Sequence, residues 1–202
     1  MRDKMKKIFD QQSQSIADSF HNVHDFSTFR FALISSAPSI KDEDAAIYLT
    51  LAKSAIQNSD FGSIDNQDKA LNVIIASTKN TRLGWLAQLE LANDFETLKN
   101  AVTKTAESIS NDRRANFYMN DLQARMHQLG FDLNPNTEKE DRDAAATTFA
   151  VLYGAATNVT LKILAASEVG ARVGGDNKKL WAKELLMLNQ EKLSEQHLSN
   201  QP

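Results

Sequence analysis

Cysteine is absent from the 202 residues of this chain. Its absence excludes a disulfide framework, a thiolate metal site and a cysteine nucleophile. Three prolines and seven glycines are too few for the turns that many short β-strands would require. Hydrophobic residues make up 42% of the chain and charged residues 24%, which is the composition of a globular domain and not of a disordered chain.

An excess of positive charge is also lacking, because 23 basic residues stand against 26 acidic ones. A nucleic-acid partner is therefore not expected, since duplex binding draws much of its affinity from a clustered positive field. The basic start Met1–Lys7 leads into polar residues and not into an apolar run, which is unlike a signal peptide and predicts a cytoplasmic location in the producing cell. The uncharged stretch Ala144–Leu161 is rich in Ala and Thr, which predicts a buried helix and no transmembrane segment.

Helical periodicity is what the sequence does contain, and no alternating strand pattern or repeat of solenoid period interrupts it. We predict an all-α protein, a single-domain bundle of seven to eight helices. The predicted apolar stripes begin with Met5, Ile8 and Phe9, and the last one consists of Leu180, Trp181, Leu185 and Leu188. The bundle is expected to span residues 1–189, followed by a polar, frayed tail over 190–202. Residues 132–136 are the one candidate boundary inside it, and the two halves are expected to share a core.

Helix ends carry recognisable capping chemistry. Asp25 or Ser27 can begin a helix that ends before Pro38, and Gly130 closes the helix that precedes it. Asn93–Asp94 either kinks a helix over 82–109 or caps a new one. Thr137–Glu140 has the spacing of a capping box, and Asp176 can cap the last helix.

The helix predicted over residues 138–170 is apolar or small on all sides. A helix without a polar face belongs in the middle of a bundle, covered by its neighbours. We therefore expect this Ala- and Thr-rich helix to be the central one.

Motifs for cofactor or nucleotide chemistry are missing, so no cofactor and no catalytic residue is predicted. A weak metal candidate consists of Asp18, His21 and Asp25, whose spacing of three and four residues would place them on one helical face. The alternative is a solvated helix end, and the prediction is that the protein holds no metal.

A candidate surface for binding another protein lies at the start of the helix over residues 112–129. Arg113, Arg114 and Phe117 are of the types enriched in interface anchors and lie off the apolar stripe of that helix. The alternative is that they pack against neighbouring helices of the same protein.

The last twenty residues combine an apolar run, scattered glutamates and serines, and an apolar residue near the end. The residues concerned are Leu185–Leu188, Glu184, Glu191, Glu195, Ser194, Ser199 and Leu198. This tail resembles the C-terminal signals of effectors delivered by bacterial type IV secretion systems. The resemblance implies translocation into a host cell.

These observations favour a non-enzymatic helical protein that acts by protein–protein recognition, as an adaptor, an inhibitor or a secreted effector. Two alternatives stay open. One is an enzyme whose site is assembled from dispersed Arg, His and carboxylate residues. The other is a helical protein that binds an apolar ligand or lipid. The oligomeric state is not predicted.

Overall fold

A computed structural model of the chain describes residues 13–21 and 23–199. Residues 13–18 are helical, and nine longer α-helices follow among the described residues. They are α1 Phe26–Ser36, α2 Ala45–Gln57, α3 Ile64–Ser77, α4 Arg82–Glu90, α5 Phe95–Ala106, α6 Asp112–Gln128, α7 Lys139–Ala155, α8 Val159–Arg172 and α9 Gly175–Ser199. A 3-10 turn, Ala37–Ser39, follows α1. The prediction of an all-α protein is confirmed.

The chain divides into two compact units, residues 1–91 and 92–202. The boundary lies between α4 and α5, where Asp94 caps a new helix in place of a kink. Residues 132–136, the boundary candidate from the sequence, instead form a loop inside the second unit.

In the first unit α1 packs against α3, α3 packs against α4, and α2 packs against α4. Residues just after the first helical segment add to this core, since Phe20 lies 5.5 Å from both the Phe29 and the Tyr48 ring, measured between centroids. Phe29, Leu33 and Tyr48 are fully buried.

The second unit repeats this packing order. Helix α5 packs against α7, α7 against α8, and α6 against α8. Helix α9 is additional and packs against α8. The four helices α1–α4 and the four helices α5–α8 are therefore two copies of one arrangement.

Side-chain contacts establish the same correspondence. Asp25 and Asp94 each form a capping box with a Thr three residues later. The Tyr48 hydroxyl lies 2.6 Å from that of Ser36, and the Tyr118 hydroxyl lies 2.6 Å from that of Thr105. The repeat is about 70 residues long and few residues are identical, so a search at the shorter solenoid periods does not detect it.

The predicted central helix is two helices. Helix α7 ends at Ala155 and α8 begins at Val159, with the side chain of Asn158 accepting a hydrogen bond from the Leu161 N–H. The break was not predicted, because the residues on both sides of Asn158 continue the helical pattern and a single asparagine does not by itself indicate a new helix start. Each helix faces the core of the second unit on one side, where Phe149, Leu152 and Leu161 are fully buried. The opposite side is exposed, at Thr147 in α7 and at Ser167 in α8, so neither helix is covered on all sides.

Three local predictions were wrong. Thr137 does not cap α7, because its hydroxyl donates to the Asp132 carboxylate instead, and the capping position is Glu138 without a side-chain bond. Asp176 is not a cap but lies in the first turn of α9. Leu180 does not face the core, since 64% of it is exposed.

Other predictions meet the limits of the described residues. Met5, Ile8 and Phe9 lie outside them, as do residues 200–202. Helix α9 continues to Ser199, beyond the point at which the sequence predicts fraying. None of the helices in the described part of the chain is long and apolar enough to cross a membrane.

A buried arginine links α8 of the second unit to the loop before α7. The Arg172 guanidinium at the end of α8 is buried, pairs with the Glu168 carboxylate and donates to the Leu133 carbonyl oxygen at 2.5 Å. Its carbon lies 5.0 Å from the centre of the Phe149 ring. A buried charge with partners on three sides holds the loop before α7 against α8, which is a structural role.

Candidate recognition surfaces

The predicted surface of Arg113, Arg114 and Phe117 lies in the first two turns of α6. Arg113 is exposed, and its guanidinium carbon lies 5.7 Å from the centre of the Phe117 ring. Arg114 and Phe117 are half-buried. The structure thus brings Arg113 and Phe117 together on one side of the helix.

Asp112 offsets the unfavourable position of two arginines at a helix N-terminus. Its carboxylate accepts a hydrogen bond of 2.5 Å from the Thr160 hydroxyl and lies 3.1 Å from the Lys192 ammonium. The hydrogen bond from Thr160 is the main cause that lowers the pKa of Asp112. The start of α6 is therefore connected to α8 and α9.

The repeat shows which of these three residues belongs to the fold. Because Tyr118 corresponds to Tyr48, Phe117 corresponds to Ile47, which packs at the edge of the first unit's core. Both residues are half-buried. The repeated fold therefore uses the position of Phe117 for packing.

The three metal candidates do not share a helix. The helical segment ends at residue 18, His21 lies in the turn that follows, and Asp25 caps α1. The Asp25 carboxylate accepts the Thr28 N–H at 2.8 Å, and this bond lowers the pKa of Asp25. Within residues 13–21 and 23–199, no group of three or more His, Asp or Glu side chains is arranged to hold a metal ion.

The outer side of α1 is unusually apolar. Phe31 is 71% exposed and Ile34 is 42% exposed. Phe31 borders an open groove of about 590 Å³. The groove is lined by Asp18, Ser19, Val23, Ser27, Thr28, Phe31, Ala32, Ser35 and Ser36. Apolar carbon and hydroxyl groups therefore meet in one surface, which we call the α1 surface and define by Phe31, Ile34 and this groove.

The corresponding helix of the second unit has no such surface. The shared cap aligns Asp25 with Asp94, so Phe31 corresponds to Asn100 and Ile34 corresponds to Thr103. These two residues are also exposed but polar. Buried positions match closely, since Phe29 and Leu33 correspond to the buried Leu98 and Val102. The repeated fold requires apolar residues inside and does not require them at Phe31 and Ile34.

A second apolar region lies along α9. Its exposed members are Leu180, Leu186, Met187 and Leu193, which are between 51% and 64% exposed. A groove of about 450 Å³ is lined by Tyr153, Leu180, Trp181, Lys183, Glu184 and Met187. The Tyr153 and Trp181 rings meet edge to face with their centroids 5.0 Å apart. The Tyr153 hydroxyl donates to the Glu184 carboxylate, and this bond raises the pKa of Tyr153 to about 12.

Comparison with known proteins finds no protein family, no curated protein and no solved structure that matches this chain. The two units of the chain can, however, be compared with each other. Surface positions that differ between the two units are therefore the basis for inferring function.

Sequence reasoning missed both apolar surfaces. In α1, six apolar residues lie within nine positions, so periodicity alone does not tell which of them face outward. The motif Asp-Phe-x-Thr, present at Asp25 and again at Asp94, is the signal that would have found the α1 surface, because it aligns the two units.

Proposed function

We propose that this protein acts by recognising another protein, and that the α1 surface is the part that binds it. The observation that supports the proposal is the exposure of Phe31 and Ile34 at positions where the equivalent helix carries Asn100 and Thr103. Adjacent exposed apolar residues that packing does not explain are typical of interaction sites.

The α1 surface has the two components of an interaction anchor. Phe31 offers a large apolar ring with few rotatable bonds, so its immobilisation costs little entropy. The groove beside it is lined by Val23 and Ala32, with the hydroxyls of Ser27 and Ser35 among its polar groups. Such a groove fits an apolar side chain of a partner, and its hydroxyls can bond the neighbouring peptide groups.

The repeat supplies the variant that tests this proposal. F31N/I34T gives α1 the residues of α5, so the helix stays compatible with the fold. Both side chains are exposed, and we expect the free energy of unfolding to change by only about 0.5 kcal/mol. Binding should fall at least tenfold, because two anchors near the middle of the surface are removed.

The partner can be identified with a photo-reactive phenylalanine analogue at position 31, followed by calorimetry of the purified partner with wild type and F31N/I34T. The matched control is I64T, which removes a 79% exposed isoleucine at the start of α3. We expect I64T to bind as wild type does. Equal affinity of F31N/I34T and wild type would contradict the proposal.

The predicted surface of Arg113, Arg114 and Phe117 stays a second candidate for the same function. Changing all three residues to alanine in the same assay separates the candidates. Loss of affinity with an unchanged melting temperature would move the interface to α6. Loss of stability without loss of affinity in the folded fraction would make these residues part of the fold.

The same proposal includes action inside a host cell, which the tail resemblance implies. The support is the set of residues named for that resemblance; Gly175–Ser199 is helical, whereas such signals are unstructured. A translocation reporter fused ahead of the chain tests delivery, with a variant lacking residues 190–202 as the comparison. Equal translocation of both would contradict a role for the tail.

A further inference from the structure

A half-buried carboxylate lies beside two aromatic rings in the second unit. The Tyr153 ring near the end of α7 and the Trp181 ring in the second turn of α9 meet edge to face, with their planes at 86° to one another. The Glu184 carboxylate is half-buried and accepts a hydrogen bond from the Tyr153 hydroxyl. Among the residues that the structure describes, it forms no salt bridge with a lysine, an arginine or a histidine.

These three groups meet in the groove of about 450 Å³ beside α9. Two ring planes at nearly a right angle form a corner, and Leu180 and Met187 extend the apolar lining beyond it. The wall of the groove therefore combines aromatic faces, aliphatic carbon and one carboxylate without a cationic partner.

The charge distribution around the groove attracts cations. The face of an aromatic ring is electronegative and attracts an ammonium group within about 6 Å of its centre. One ammonium of the chain shows this attraction, since the Lys162 Nζ lies 5.8 Å from the centre of the Tyr153 ring. Lys162 is not among the residues that line the groove, so it does not fill it.

Two carboxylates add to this field. Glu184 lines the groove, and Glu191 lies seven residues later and therefore nearly above it on the helix. The hydrogen bond to Glu184, burial, and the charges of Glu184 and Glu191 raise the pKa of Tyr153 to about 12. The phenol consequently stays neutral near neutral pH and keeps donating to Glu184.

We propose that this groove binds the trimethylammonium group of a methylated lysine side chain of another protein. The methyl groups contact the faces of Tyr153 and Trp181, and the positive charge lies opposite the Glu184 carboxylate. An unmodified ammonium is strongly hydrated, and rings and aliphatic side chains do not replace the hydrogen bonds that it loses on leaving water. Each methyl group removes one N–H donor and adds apolar contact, so methylation favours binding.

The carboxylates favour a lysine side chain over a lipid headgroup. A choline headgroup has the same ammonium, but a phosphate follows it after two carbons. Glu184 and Glu191 repel that phosphate at short range, whereas Lys183 on the groove wall attracts it. The methylenes of a lysine side chain carry no charge and fit the apolar walls at Leu180 and Met187.

NMR titration of the full chain with a short peptide, acetyl-Gly-Gly-Lys-Gly-Gly-amide, is the first test. The central lysine of the peptide carries three, two, one or no methyl groups. We expect the affinity to rise with each methyl group, and the trimethylated peptide to bind about tenfold more tightly than the unmethylated one. Equal affinities, or the reverse order, would overturn the proposal.

A neutral isostere separates charge from shape. A peptide that carries a tert-butyl group in place of the trimethylammonium group has the same shape without the charge, and it should bind about tenfold more weakly. Equal binding of this isostere would overturn a cation site. Vesicles of phosphatidylcholine are the third probe. Binding to vesicles without binding to the trimethylated peptide would assign the groove to lipid headgroups and overturn the proposal.

Two variants test the residues. W181L keeps apolar volume and removes the aromatic face, and E184Q keeps an acceptor for the Tyr153 hydroxyl and removes the charge. Each should weaken binding of the trimethylated peptide by about fivefold or more, with an unchanged circular dichroism spectrum. E184Q changes no packing volume, so it decides the matter even if W181L fails to fold. Unchanged binding by E184Q would overturn the proposal.

The controls lie outside the groove. L193T changes an exposed leucine of α9 that does not line the groove, and it should bind the trimethylated peptide as wild type does. F31N/I34T should also bind this peptide as wild type does, because the α1 surface belongs to the other unit. The proposals for the groove and for the α1 surface therefore fail independently.

Discussion

Helices α1 and α5 begin with the same chemistry and end in different surfaces. Both start at an aspartate whose carboxylate accepts a backbone N–H three residues later, at 2.8 Å in each case. Both deliver a hydroxyl to a buried tyrosine of the next helix. Only α1 exposes a phenylalanine and an isoleucine. The shared contacts define what this fold needs, and the differences mark what one copy does beyond folding.

The two units also differ at their C-terminal ends. The second unit ends in α9, a 25-residue helix that the first unit does not have. Apolar side chains are exposed on α1 in one unit and on α9 in the other, outside the shared contacts. Repeat architectures commonly place binding on positions that vary between copies, because the constant positions are occupied by packing.

The largest effect is expected for a buried core residue in each of the corresponding helices α3 and α7. Ile74 in α3 and Leu152 in α7 are 1% and 0% exposed. Truncating either to alanine removes buried carbon and leaves a cavity, so the free energy of unfolding should fall by about 2–5 kcal/mol. Chemical denaturation measures it. Q14A, at an exposed position in the helical segment 13–18, is the control and should change the value little.

A loss at only one of these two positions would break the correspondence between α3 and α7. The comparison is sharp because the two side chains have similar volume and equal burial.

The hydroxyl pairs should give the next effect. T105V keeps the shape of the side chain but removes the hydroxyl that lies 2.6 Å from the hydroxyl of the fully buried Tyr118, which costs about 1–3 kcal/mol. S36A should cost less, since Ser36 is half-buried and water can take its place beside Tyr48. Equal losses would mean that water reaches neither pair more easily than the other. Y48F and Y118F remove the other hydroxyl of each pair and serve as controls.

Some features of the fold could be predicted from the sequence and others could not. The cap at Asp25, one of the two candidates, and the helix end at Gly130 were predicted, because capping chemistry is local. The break before Asn158 was not, since neighbouring alanines and threonines continue a helical pattern. The exposure of Phe31 was not predicted either, because it depends on which residues of α1 the other helices cover. That information is tertiary, and only the repeat encodes it in the sequence.

A smaller effect is expected at the caps of α4 and α8. The Thr81 hydroxyl accepts from the Gly84 N–H, and the Asn158 side chain accepts from the Leu161 N–H. Replacing either by alanine should cost about 1 kcal/mol. The N158A loss should be the larger of the two, since the Asn158 side chain also helps to lower the pKa of the Asp112 carboxylate. Thermal unfolding at neutral pH measures both, and a larger loss for T81A would contradict this order.

The smallest effect is a pH dependence of stability that both units should show. Backbone hydrogen bonds from Thr28 and Thr97 lower the pKa of Asp25 and Asp94 below the ordinary value of 3.8. A group with a lowered pKa in the folded state adds stability that is present above its unfolded pKa and is lost as the pH falls through the folded pKa. Both contributions should therefore be complete above about pH 3.8 and should decrease as the pH falls from there to the folded pKa.

Replacing these aspartates by asparagine isolates that contribution, because asparagine still caps a helix but does not titrate. D25N and D94N should each flatten the fall in stability between about pH 4 and pH 2, and the double variant should do so by the sum of the two effects, since separate sites add. Denaturant titrations at a series of pH values measure the slope. Because both aspartates are exposed and each accepts the N–H of a threonine three residues later at 2.8 Å, a flattening in only one variant would show that the two helix starts are alike in geometry and unlike in energy.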